Sequence, residues 1–196
     1  MAGRRQSQAY GGALQQVQAL KHARDVSGLI RMLNNPIEKS AKSTIRAAAA
    51  RALGEIADSR ACEPLRALMD DPAPRVRFTV AYALGRLGDR EACQTLLEAL
   101  ADDEGLVRDA AAISLGKLGC NQAVPALREA LDANTPWTRL LAAQALHNLG
   151  DVFPDELLTR AMGRERWFAV GRRFRWRKLK KDRESAGREP SRERIR

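Results

Sequence analysis

Three cysteines, two histidines and a run of arginines are the residues whose types could do chemistry in this chain of 196 residues. Cys62 and Cys93 stand 31 residues apart and Cys120 another 27 on, with no CxxC pair and no histidine beside them. Zinc wants clustered Cys and His, and a nucleophilic thiol wants a base within reach. Neither pattern is present, so no catalytic residue, metal or cofactor is assigned and no small-molecule substrate is evident. Helices in contact lie about 8–10 Å apart while a disulfide wants Cα atoms within about 7 Å, so Cys62 and Cys93 are expected to stay unbridged. Cys120 stands where related turns carry Asp58, Asp89 and Asp151, and is expected on the surface as a reduced thiol.

The second group lies near the C-terminus. After residue 162 come 14 Lys and Arg against 5 Asp and Glu, nearly all of the chain's net charge of +10. Arg172, Arg173, Arg175, Arg177, Lys178, Lys180 and Lys181 are candidates for holding an anion. Trp167, Phe168, Phe174 and Trp176 lie among them as capping or stacking candidates. Three roles suit this segment. Its aromatics can cap the end of a helical stack, its arginines can neutralise phosphates while aromatics stack on unpaired bases, or the whole can lie on an anionic membrane.

The elements that must position these residues follow from a repeat. Arg46 returns as Arg77, Arg108 and Arg139, each 31 residues on, and Leu53, Leu84, Leu115 and Leu146 travel with it. A fixed period of this length marks a solenoid. Within a unit, Pro74 opens a helix whose apolar face holds Val76, Val80, Leu84 and Leu87. Gly88 is placed to end it in a left-handed turn, and Asp89 to cap the next. Gly54, Gly85 and Gly116 share a register inside a helix, where glycine costs about 1 kcal/mol against alanine; another backbone is expected close by. The arginines begin helices near the acidic turns Asp70-Asp71 and Asp102-Asp103, which predicts a ladder tying turn to helix.

The pattern A-x-A-L-G-x-[IL]-[AG]-D-x-x-A-x-x-x-L resembles the short HEAT-like repeats named after the phycobilisome lyases, strongly over 46–151 and weakly over 10–45. The resemblance implies an all-α fold, a right-handed α-solenoid of about five antiparallel helix pairs. Proteins with such repeats include bilin lyase subunits, a di-iron hydroxylase of deoxyhypusine and many interaction scaffolds. The hydroxylase depends on His-Glu pairs; His22 and His147 are not followed by Glu, which removes the iron site.

The expected organisation is a flexible arm at 1–9 and a solenoid at 10–162, with repeats at 10–45, 46–76, 77–107, 108–138 and 139–162. A basic aromatic cap follows at 163–181 and a disordered basic tail at 182–196. The first repeat carries a five-residue insertion within 37–45, which either lengthens the next helix or forms a lip. The exposed side of the second helices offers Arg60, Glu63, Arg66, Glu91, Gln94, Glu98, Arg128 and Glu129, a mixture of signs suited to a protein partner rather than a phosphate track. The expected function is a non-catalytic scaffold for a protein partner, with the tail reserved for an anionic one (RNA, membrane surface or acidic protein). The alternatives are an RNA-associated protein and a bilin-lyase-like subunit. The chain opens MAGRRQSQAYGG, without a hydrophobic targeting core, so a cytoplasmic location is expected.

Overall fold

The structure, a computed structural model, describes residues 2–34, 39–132 and 135–151. In chain order its α-helices are α1 (Ala2–His22), α2 (Val26–Leu33), α3 (Lys39–Ile56), α4 (Cys62–Arg66), α5 (Pro74–Leu87), α6 (Cys93–Glu98), α7 (Gly105–Leu118), α8 (Val124–Glu129) and α9 (Pro136–Asn148). The odd-numbered helices pack one on the next, and each even-numbered helix packs against the odd one that follows. This is an α-solenoid: four helix pairs and the first helix of a fifth among the described residues.

Local chemistry sets the ends of these elements. Pro74 and Pro136 occupy first turns, where a missing N–H costs nothing. Gly88, Gly119 and Gly150 turn the chain left-handed at φ 76°, 74° and 74°. Ala57 holds the same position one repeat earlier, at φ 59°. Asp58 and Asp89 then accept hydrogen bonds from the backbone N–H two residues on. That short reach closes the 3₁₀ turns before α4 and α6, a third 3₁₀ turn precedes α8 without a side-chain cap, and the three helices keep only 5, 6 and 6 α-helical residues.

Two leucine columns form the core. Leu53, Leu84, Leu115 and Leu146 run along the first helices, and Leu65, Leu96 and Leu127 along the second, all fully buried. Each such side chain contributes about 1.5–3 kcal/mol. The glycine register does what the sequence predicts. A Cβ on Gly54 would lie 2.9 Å from Ala83 Cα, one on Gly85 the same distance from Ser114 Cα, and one on Gly116 2.7 Å from Ala145 Cα.

One boundary differs from expectation, and the insertion takes the first of its two expected forms. Residues 2–9, expected as an arm, are the first turns of α1. The insertion lengthens α3, which starts at Lys39 and runs to 18 residues against 14 in α5 and α7. The second helix of the last repeat, the proposed cap at 163–181 and the tail at 182–196 lie outside the described residues.

Candidate interaction surface

The repeating arginines form an internal ladder. Arg46 donates through Nε and Nη2 to the two carboxylate oxygens of Asp71, at 2.7 and 2.9 Å. Arg77 does the same to Asp102 at 2.7 and 2.8 Å, while its Nη1 donates to the Asp71 carbonyl at 2.9 Å. Arg108 donates to the Asp102 carbonyl at 2.6 Å. Arg77 thus holds both the turn before its own helix and the carboxylate of the turn after, while Arg46 makes the second of these contacts and Arg108 the first. The Arg77 guanidinium pulls the Asp102 carboxyl down to about 2 against the opposing effect of burial. Paired forks of this kind are structural joints rather than a ligand site.

The eight surface candidates sort by repeat. Arg60, Glu63, Arg66 and Glu91 come together around an open groove of about 490 Å³, which also reaches Cys62 and Asp89. Most of these groups already hold one another. Arg66 Nη1 donates to Glu91 Oε2 at 2.5 Å, and Arg66 Nε lies 3.7 Å from Asp89 Oδ2. Arg60 forks onto Asp58 at 3.0 and 2.9 Å, and its side-chain hydrogen bond holds that carboxyl down at about 2. Gln94 donates to Glu98 one turn along the same helix, α6, at 3.0 Å. Arg128 forks onto Asp151 at 2.9 and 2.7 Å, two repeats from the groove, and Glu129 is exposed beside it. Burial, then the Asp89 charge, pushes the Cys62 thiol up, which keeps it protonated and a poor nucleophile at neutral pH.

The cysteines need a correction. Cys62 and Cys93 are not bridged, as expected, and Cys62 is free. Cys120, expected on the surface as a free thiol, is buried and joined to Cys93 with Cα atoms 5.8 Å apart. The physical reason is a register one turn short of a period: the start of a second helix faces the turn inside the next repeat. The same positions bring Cys62 to Asp89 in the preceding joint. Arg66–Asp89 and Arg128–Asp151 are matching ion pairs two repeats apart. In the joint between them Leu97 and Cys120 replace the pair, and the disulfide takes over.

Sequence reasoning missed a second feature. Phe78 and Tyr82 on α5 are 37% and 39% exposed. With Thr79, Ala83 and Arg86 they wall a mostly apolar furrow of about 220 Å³, closed on the other side by Arg51, Gly54 and Glu55 of α3. The Lys117 ammonium sits 4.8 Å from the Tyr82 ring centre. The anion-binding candidates Arg172, Arg173, Arg175, Arg177, Lys178, Lys180 and Lys181 lie outside the described residues, as do Trp167, Phe168, Phe174 and Trp176.

Comparison with known proteins agrees with this geometry. No curated protein matches the chain. Among solved structures it is similar to a chain of the complex of CpcE and CpcF of phycocyanin lyase from Nostoc sp. PCC7120, with a TM-score of 0.62 and 23% identity. The alignment covers 74% of this chain and only 60% of that one, and at this identity it shows the fold alone. Residues 30–116 and 103–170 match the family described as HEAT repeats, which spans well over half of the sequence, and the chain belongs to that family.

Proposed function

We propose that this protein is a non-catalytic scaffold whose solenoid holds a protein partner, while the basic segment 163–181 serves an anionic one. One observation carries the proposal: the polar groups best placed to react are committed to one another. Arg46 and Arg77 fork onto aspartates, Arg66 and Arg128 join repeats, and Cys62 is held as a thiol. What is left is an extended surface of mixed charge, which favours protein recognition over a nucleic-acid backbone. The structural relative also supports this reading, because it is a complex of two proteins, CpcE and CpcF.

Affinity capture with the full-length chain, with and without nuclease and at low and high salt, tests the proposal. A protein partner retained after nuclease at high salt is the expected result. Loss of all capture on nuclease treatment moves the assignment to RNA, since phosphate binding weakens steeply with salt. Reversing Arg172, Arg173, Arg175 and Arg177 to Glu should abolish heparin retention; unchanged retention removes the anionic partner from the proposal. A cytoplasmic setting belongs to the same reading, and thiol alkylation at lysis tests it: Cys93 and Cys120 trapped as thiols fit that setting, while a bridge already formed in the cell removes it from the proposal.

A second reading, a bilin-lyase-like subunit, is favoured by the likeness to phycocyanin lyase alone. Incubation with an apo-phycobiliprotein and a bilin decides it. A covalent coloured product replaces the scaffold reading, and none leaves it standing.

A further inference from the structure

The repeat frame gives no reason for the aromatics on α5. At the register of Phe78 the other repeats carry Ala47, Asp109 and Leu140; at that of Tyr82 they carry Arg51, Ile113 and Gln144. Asp109, hydrogen-bonded to Thr138, serves at the first register, and Arg51 and Gln144 at the second, so two large rings left more than a third exposed are not demanded by packing. Aromatic residues are enriched in interface cores for the area they bury at low entropic cost.

The furrow beneath them has a structural origin. Gly54 brings α3 against Ala83 of α5, leaving a shallow apolar floor between the outer faces of the two helices. At about 220 Å³ it is below the ~300–1,000 Å³ of small-molecule sites and suited to an anchoring side chain. Its rim is cationic. Arg51 and Arg86 stand on opposite walls, and Lys117 lies against Tyr82. The single carboxylate on the rim, Glu55, is ion-paired with Lys21 and lies 4.0 Å from Arg51. Those surrounding cations, the Lys21 hydrogen bond first, lower its pKa and so keep it ionised and matched.

We infer that the furrow between α3 and α5 docks an acidic amphipathic segment of a protein partner, one apolar anchor entering between Gly54 and Tyr82 with carboxylates on either side meeting Arg51, Arg86 and Lys117. The inference deepens the scaffold reading and rests on it for the existence of a protein partner. An apolar side chain satisfies the floor, which has little polar surface to offer, and flanking carboxylates satisfy the excess of positive charge. A lysine-flanked segment with the same anchor meets like charge and is rejected.

The test uses the full-length chain and fluorescently labelled amphipathic peptides, each with one Leu, Phe or Trp anchor flanked by glutamates, and the same peptides with lysines. Glutamate peptides should bind and lysine peptides should not. Phe78→Ala and Tyr82→Ala, at exposed positions where the fold is kept, should each weaken binding about ten-fold or more, as loss of an interface anchor does. Arg86→Glu should weaken it similarly and flatten its salt dependence. Equal binding of both peptide sets, indifference to Tyr82→Ala, or no binding of any peptide overturns the inference. So does self-association that Tyr82→Ala abolishes, which makes a second copy the occupant, or RNA binding lost with the same substitution. Affinity capture separates the two levels. A partner still captured by the Tyr82→Ala chain removes the furrow and keeps the scaffold; no captured partner at all removes the scaffold itself.

Discussion

Replacing one glycine by alanine should have opposite effects at two places in this molecule. At Gly116 an added Cβ lies 2.7 Å from Ala145 Cα and 3.0 Å from its Cβ. Carbon atoms rest at about 3.5–4.0 Å, so α9 must retreat from α7 by close to 1 Å, and no side-chain rotation relieves a contact with a backbone atom. Overpacking of this kind costs about 1–3 kcal/mol. Alanine's better helix propensity returns about 1 kcal/mol, for a net loss of up to about 2 kcal/mol. At Gly12 in α1 nothing lies within 4 Å of the added atom, so the propensity gain stands alone, up to about 1 kcal/mol. Urea unfolding followed by far-UV circular dichroism measures both variants, with midpoints compared at constant m. Gly116→Ala should shift the midpoint down and Gly12→Ala up or not at all. A stabilising Gly116→Ala refutes the close approach of α7 and α9, and with it the account of the glycine register.

Three further outcomes follow from single sites. Cys120→Ala should lower stability by about 3–4 kcal/mol relative to the oxidised protein, from the 27-residue separation of the bridge, and a dithiol should produce the same loss in the unmodified chain but not in the variant; denaturation with and without reductant checks it. Asp102 has its carboxyl depressed from 3.8 to about 2 in the folded state, so its contribution is complete above the unfolded value and vanishes as pH falls through about 2. That contribution is about 2 kcal/mol at most, and Asp102→Asn should flatten the loss of stability across that acid range. Ala57 sits at φ 59° where its counterparts are glycine, so Ala57→Gly should raise the thermal midpoint, by about 1 kcal/mol of stability; an unchanged or lower midpoint contradicts the strain.

The repeat was legible because each unit answers the same packing problem with the same residues. Leu84 and Leu115 face identical surroundings, so the period reads directly from the letters. The arginine ladder was legible for a related reason: Arg77 and the acidic turn at Asp102 recur together, and charge at fixed spacing implies pairing. Cys93–Cys120 was not. Comparing like positions sets Cys62 beside Cys93, whereas the contact joins unlike positions of neighbouring repeats, and only the packing of α6 against the turn after α7 shows it. Phe78 and Tyr82 were hidden differently. Within α5 they read as ordinary helix residues, and they stand out only when Asp109 and Arg51 show that the fold does not require apolar groups there. Six of the surface candidates lie on second helices, whereas Arg60 and Glu91 fall in the 3₁₀ turns before them, and the pairing among these side chains depends on reach, which spacing does not reveal.

The covalent joint has a mechanical consequence. Tension applied to the two ends of the described array enters the bridge at Cys93 and leaves at Cys120, bypassing the chain between them. That bypassed stretch holds all of α7, the helix that links the outer neighbours α5 and α9. Pulled open, the oxidised protein releases about 90 Å less contour length than the reduced one, at about 3.3–3.6 Å per extended residue. The ion-paired joints on either side carry no such shunt, so load is borne by side-chain contacts at Arg66 and Arg128 and by a bond at the centre. A solenoid with one pinned joint between two that can part yields from its ends and keeps its middle.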